Sequence, residues 1–260
     1  MASENGIRCF SRNALKIIAA ITMLIDHIGV VLFPKLQILR IIGRISFPIF
    51  AYMIAEGCHY TKSKLRYFLG VFVLGIGCQA VYSWYGGGKL IGILITFSIS
   101  IIVVYAMQYM KRALLTKAPI AIQILSVILF TSVVFGVYVL NKKLLIDYGF
   151  FGCMAPAFAS AFKIPREIKI QSGQSSEATE AALTKKHCTN TEHLLNVLSL
   201  GACLVFISLT MGKHQPFALL ALPLLLLYSG KRGKYKMKYF FYVFYPLHLA
   251  VIEGIALIIT

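Results

Sequence analysis

Residues 15–33 read LKIIAAITMLIDHIGVVLF, an apolar run that nevertheless holds Lys16, Asp26 and His27. About 20 apolar residues cross the ~30 Å hydrocarbon layer of a bilayer as a helix. No other feature constrains the chain as tightly, because a segment in hydrocarbon must satisfy its backbone hydrogen bonds internally, and a helix does so. Eight further runs follow, at 41–57, 66–85, 90–110, 119–140, 146–163, 194–211, 215–230 and 239–259. The run at 215–230 is short and contains Pro216 and Pro223, so a tilted, kinked or re-entrant path is as open to it as a straight crossing. With 58% hydrophobic and 13% charged residues, the composition excludes a soluble domain. The expected fold class is all-α: a polytopic integral-membrane helix bundle of about nine transmembrane helices, eight to ten at the limits. It forms one transmembrane domain over residues 1–260.

A net charge of +17 would point to nucleic acid in a soluble protein. Here the basic residues lie between apolar spans, where they orient the chain, and no nucleic-acid partner is expected. Alternate loops divide them unequally. One side collects 18 Lys and Arg, among them Arg8, Arg12, Lys163 and the group from Lys231 to Lys238; the other has six, including Lys35, Arg40 and Lys142. Cytoplasmic loops carry the excess, so the N-terminus is expected in the cytoplasm and the C-terminus outside. Residues 1–13 are polar and no small-residue cleavage site follows, so the first run reads as a mature helix rather than a signal peptide. Residues 164–193 are the one long polar stretch and read as a flexible cytoplasmic loop. The six cysteines form no CxxC pair, so neither a disulfide framework nor a metal site is expected.

Within the spans remain Lys16, Asp26 and His27 in the first, Arg44 and Glu56 in the second, and His248 and Glu253 in the last; Asp147 sits at the outer lip of the sixth. Each such group costs about 2.5–3.5 kcal/mol to insert and normally faces the protein interior or a water-filled cavity. Lys16 and His27 are eleven residues apart, so they point to one side of the helix about 16 Å from each other. A neutral His beside a carboxylate is the usual way to build a general base. Asp26 need not be that carboxylate, because adjacent helical residues diverge by about 100° and Arg44 or Lys16 could claim it. His248 alone would fit an interhelical hydrogen bonder equally well, and Arg44 and Lys16 are near enough to the span ends to snorkel.

The blocks ALKIIAAITMLIDHIGVVLFP, LRIIGRISFPIFAYMIAEG, ITFSIS and KYFFYVFYPLHLAVI resemble the TraX family of bacterial integral-membrane proteins, whose founding member is associated with N-terminal acetylation of conjugative pilin. That family is similar in turn to the membrane acyltransferases that modify cell-surface glycans. Those enzymes carry a basic residue, ten intervening residues and a His in the first helix, a spacing that Lys16 and His27 match. The resemblance implies a protein of the bacterial cytoplasmic membrane with His27 as catalytic base. It implies Lys16, Arg44 and His248 as groups that hold acetyl-CoA or its acyl group, His248 matching a late His of the glycan-modifying enzymes. Lys16 stands where those enzymes more often have Arg, so bidentate phosphate recognition is not available there. The expected activity is acetyl transfer from acetyl-CoA to a pilin amine, a glycan or a small amine, with Asp26 orienting or charge-balancing His27 and Arg44 stabilising negative charge. Two rivals remain: a transporter or channel with a proton or ion path through the same groups, and a non-enzymatic assembly partner.

Overall fold

A computed structural model of the chain describes residues 8–84, 90–165, 190–231, 233 and 237–259. They form ten α-helices: α1 (Arg12–Val31), α2 (Gln37–Gly43), α3 (Ser46–Tyr60), α4 (Lys64–Trp84), α5 (Ile93–Leu115), α6 (Ile120–Lys143), α7 (Gly149–Phe158), α8 (Asn190–Thr210), α9 (Ala221–Leu226) and α10 (Lys238–Ile259). A 3-10 helix over Gln215–Leu220 leads into α9. Seven segments are long and apolar enough to cross a membrane, with α2 and α3 acting as one interrupted helix. The protein is a polytopic helical bundle.

The sixth and eighth runs differ from the other seven. α7 has ten residues and rises about 15 Å, half of a hydrocarbon layer. Both short segments still join the two ends of the bundle. The first starts at Tyr148, whose phenol oxygen is bonded by Arg44, and ends at Lys163, which pairs with Glu56. The second starts with the 3-10 helix against α2 and ends at Tyr228, whose O–H donates to Glu56. A short helix suffices because these segments run through the protein interior, where their frayed ends find protein partners instead of lipid. Lys111 Nζ donates to the carbonyls of Ser160, Ala161 and Lys163 beyond α7, and the Asn196 side chain accepts from Phe162 N at 2.9 Å. Small residues let α7 sit close to α3, α5 and α8: Gly152, Cys153, Ala155 and Ala157 are all buried.

Backbone pairings close the two ends of the bundle. At one, Phe10 N donates to Leu227 O, Ser229 N to Phe10 O, and Arg12 N to Lys231 O. Ser11 caps α1 there, its hydroxyl accepting from Ala14 N. At the other, Ile91 N donates to Leu145 O and Asp147 N to Ile91 O. That pairing holds residues 90–92 extended, which is why α5 starts at Ile93 rather than at 90. The polar loop read at 164–193 ends sooner than expected, since α8 begins at Asn190 with Glu192 in its first turn, where the helix dipole favours an acid. Residues 166–189 of that loop lie outside the described residues. The outer helices α4, α6 and α10 turn large apolar side chains outward, Leu65, Phe135 and Leu247 among them, the inverse of a soluble surface.

Candidate active site

The site begins with a break in a helix. Pro48 lies in the first turn of α3 and has no N–H for the carbonyl of Arg44, against which its ring would also clash in a continuous helix. The helix therefore interrupts at Arg44 and Ile45, between α2 and α3. Arg44 leaves this turn buried, with Nη2 2.9 Å from both carboxylate oxygens of Asp26. Arg40, one turn earlier, donates to Asp26 Oδ2 at 2.7 Å. Two guanidiniums thus hold one carboxylate through charge-assisted hydrogen bonds, with Arg44 Nη2 shared between its two oxygens. Gly43 makes room for it, since a Cβ at that position would overlap the Asp26 side chain. Arg44 Nη1 also donates to the Tyr148 phenol oxygen at 3.3 Å.

On the neighbouring face of α1, His27 meets His248 of α10, with Nδ1 of the first 3.1 Å from Nε2 of the second. His248 Nδ1 lies 2.9 Å from the Phe244 carbonyl. A carbonyl only accepts, so His248 carries its proton on Nδ1, and with both rings neutral its Nε2 is an acceptor. His27 must then be the donor through Nδ1–H. The lone pair of His27 is left on Nε2. His193 makes a useful contrast: its Nε2–H donates to Leu225 O at 3.0 Å and its Nδ1 accepts from Tyr52 at 2.9 Å, so both nitrogens are used. Of these three interior histidines, His27 alone keeps a basic nitrogen uncommitted among the described residues. Arg40 and Arg44 lie within electrostatic reach of its ring.

Lys16 faces the same helix as His27, as the spacing predicts: its ammonium is 5.5 Å from the Phe241 ring centroid, seven residues before His248 on α10. Asp26 takes Arg44, one of the two partners that the sequence left open to it. It sits next to His27 in sequence but is held by Arg40 and Arg44, and His248 orients the imidazole instead. The diverging directions of adjacent helical residues are the reason. His248, placed by resemblance among possible acyl-CoA contacts, has its two nitrogens engaged by Phe244 and His27.

Sequence reasoning missed Arg40, Tyr148 and the opposite cluster. Arg40 was counted as a loop charge, although its four-residue offset from Arg44 puts the two on one helical face. At the far end of the bundle, Glu56 pairs with Lys163 and Arg12 and accepts from Tyr228, with only 4% of its side chain exposed. Lys163 stands over the Tyr52 ring and Arg12 over that of Tyr60. Glu56 was visible in the sequence, but its two cations read as topogenic charge.

Comparison with known families gives a match to TraX, described as TraX protein, over residues 11–169 and 179–256. An uncharacterized protein, RP591, of Rickettsia prowazekii is 43% identical over 65 residues, 25% of this chain and 26% of that protein. A probable fimbrial assembly protein, FimC of serogroup H1, from Dichelobacter nodosus is 29% identical over 79 residues, 29% of this chain and 32% of its own. The matches thus span between a quarter and a third of these relatives. No solved structure matches.

Proposed function

The chain belongs to the TraX family, and we propose that it is an integral-membrane acyltransferase carrying acetyl from acetyl-CoA to an amine or hydroxyl acceptor. One observation carries the reading: the His27–His248 pair, whose hydrogen bonds leave the His27 Nε2 lone pair available near the buried Arg44 and the half-buried Arg40. A ring nitrogen fixed in this tautomer has the form a general base requires. His27 Nε2 takes the proton of the acceptor as that group attacks the thioester carbonyl. The C–S bond then breaks, and the CoA thiolate leaves with the proton returned by the imidazolium. His248 accepts from His27 Nδ1–H throughout and spreads the positive charge, which makes it a positioning residue. Arg44, with Arg40, stabilises negative charge on the acyl oxygen. Lys16, about 16 Å along the same helix, is suited to a CoA phosphate as a point charge.

The division of basic residues, 18 against six, favours the cytoplasmic membrane of a bacterium with the N-terminus inside, so that Lys16 is on the acetyl-CoA side. The fimbrial assembly description of the Dichelobacter relative favours a pilin or fimbrial subunit as acceptor. Purified protein given labelled acetyl-CoA with a pilin amino-terminal peptide, a glycan fragment or a small amine tests the reading. Wild type is expected to label one of them, and His27→Ala to lose about a hundredfold or more of the rate. If His27→Ala labels as fast as wild type, or if wild type in vesicles moves protons through His27 without consuming acetyl-CoA, the enzyme reading fails.

A further inference from the structure

The mechanism above leaves Tyr148 unused, although the chain holds it at a cost. Its backbone lies in the left-handed region, with φ of 60°, and Gly149 follows at 59°. Such a conformation in a bulky residue is strained and persists only where surrounding contacts enforce it. Several do. Asp147 N donates to Ile91 O, the Thr96 hydroxyl donates to Asp147 O at 3.1 Å, and Gly152 leaves space for the Tyr148 Cβ. The ring stacks on Phe47, with centroids 3.9 Å apart and planes 8° from parallel, and Phe47 stacks in turn on Phe97. Phenol, loop and ring are thereby fixed with the hydroxyl on Arg44.

The polarity of that contact matters. Arg44 donates and the Tyr148 oxygen accepts. The phenol's own hydrogen has no protein acceptor among the described residues. An O–H whose oxygen accepts from a cation is a stronger donor than a lone phenol. The same Arg44 is anchored by Asp26, the residue next to the proposed base. We propose that Tyr148 is a catalytic donor in this site, giving its O–H hydrogen bond to the thioester carbonyl oxygen as that oxygen becomes an oxyanion. The inference rests on the acyl-transfer reading. When the acceptor attacks, the carbonyl π pair moves onto oxygen and the phenol hydrogen bonds it; when the C–S bond breaks, the pair returns to the carbonyl and the phenol keeps its proton. No proton leaves Tyr148 in the cycle, and His27 alone carries the one that moves from acceptor to thiolate.

The test uses the full chain in nanodiscs, with labelled acetyl-CoA and a pilin amino-terminal peptide as acceptor. Tyr148→Phe keeps the ring, its stacking and the backbone, and removes only the oxygen. It is expected to lower kcat about a hundredfold, the effect of losing one oxyanion donor, with KM and the unfolding temperature near their wild-type values. A Tyr148→Phe protein that turns over within about twofold of wild type, while His27→Ala is inactive, overturns the proposal and leaves the base in place; the phenol would then only pack. Failure of wild type to label the peptide or any other acceptor would remove the underlying reading and this one together.

Discussion

Asp26 and Glu56 occupy equivalent situations at opposite ends of the bundle, each a carboxylate shared by two cations. Asp26 has Arg40 and Arg44; Glu56 has Arg12 and Lys163. Each cluster keeps one surplus positive charge, and removal of its acid leaves two cations facing each other in a poorly hydrated interior. Breaking a buried pair from one side costs about 3–5 kcal/mol. Glu56→Gln is therefore expected to lower the thermal unfolding temperature in detergent by several degrees or more, and an unchanged transition would show that the cluster is better hydrated than its burial indicates. The sequence exposed the acids because a carboxylate at membrane depth is conspicuous. It hid their partners, because a Lys or Arg at the margin of a span looks the same whether it orients the chain or neutralises a buried acid. Tyr148 was hidden for another reason: aromatic residues at span ends are common as interface anchors, and nothing in a one-letter code announces a left-handed backbone.

Among the elements, the interrupted pair α2 and α3 does most to build the site. Pro48 forces the interruption, and the resulting turn delivers Arg44 to Asp26 and Tyr148 together. Pro48→Ala restores an N–H for the Arg44 carbonyl and allows one continuous helix. Stability is expected to be kept or slightly raised, while acetyl transfer falls about tenfold to a hundredfold as the guanidinium moves by an ångström or so. Full activity in that variant would mean that the turn is not what positions Arg44. The proline was legible at the start, yet the run at 41–57 read as one helix, since the apolar count is blind to a break that lipid never contacts. The same blindness hid the shortness of α7. Its run at 146–163 has the composition of a crossing, but four of its residues are spent on the turns that Lys111 and Asn196 satisfy.

At the scale of the molecule, the chain closes on itself: α1 and α10 meet through His27 and His248, 221 residues apart. The all-α class and the seven full-length spans were legible because hydrocarbon thickness sets a length that sequence displays directly. That first and last helices should adjoin was not, because nothing in hydropathy records which helices are neighbours, and only the ionisable residues on both suggested it. Everything proposed for the chemistry depends on this closure, since it makes the Phe244 carbonyl dictate, through two rings, which nitrogen of His27 is basic. Solid-state nitrogen NMR of histidine-labelled protein in nanodiscs at neutral pH, with His27→Gln to assign the signals, reads that nitrogen directly. The expected spectrum has His27 protonated at Nδ1, bare at Nε2, and coupled across a hydrogen bond to His248 Nε2. A His27 protonated at Nε2, or with no coupling to His248, would contradict it.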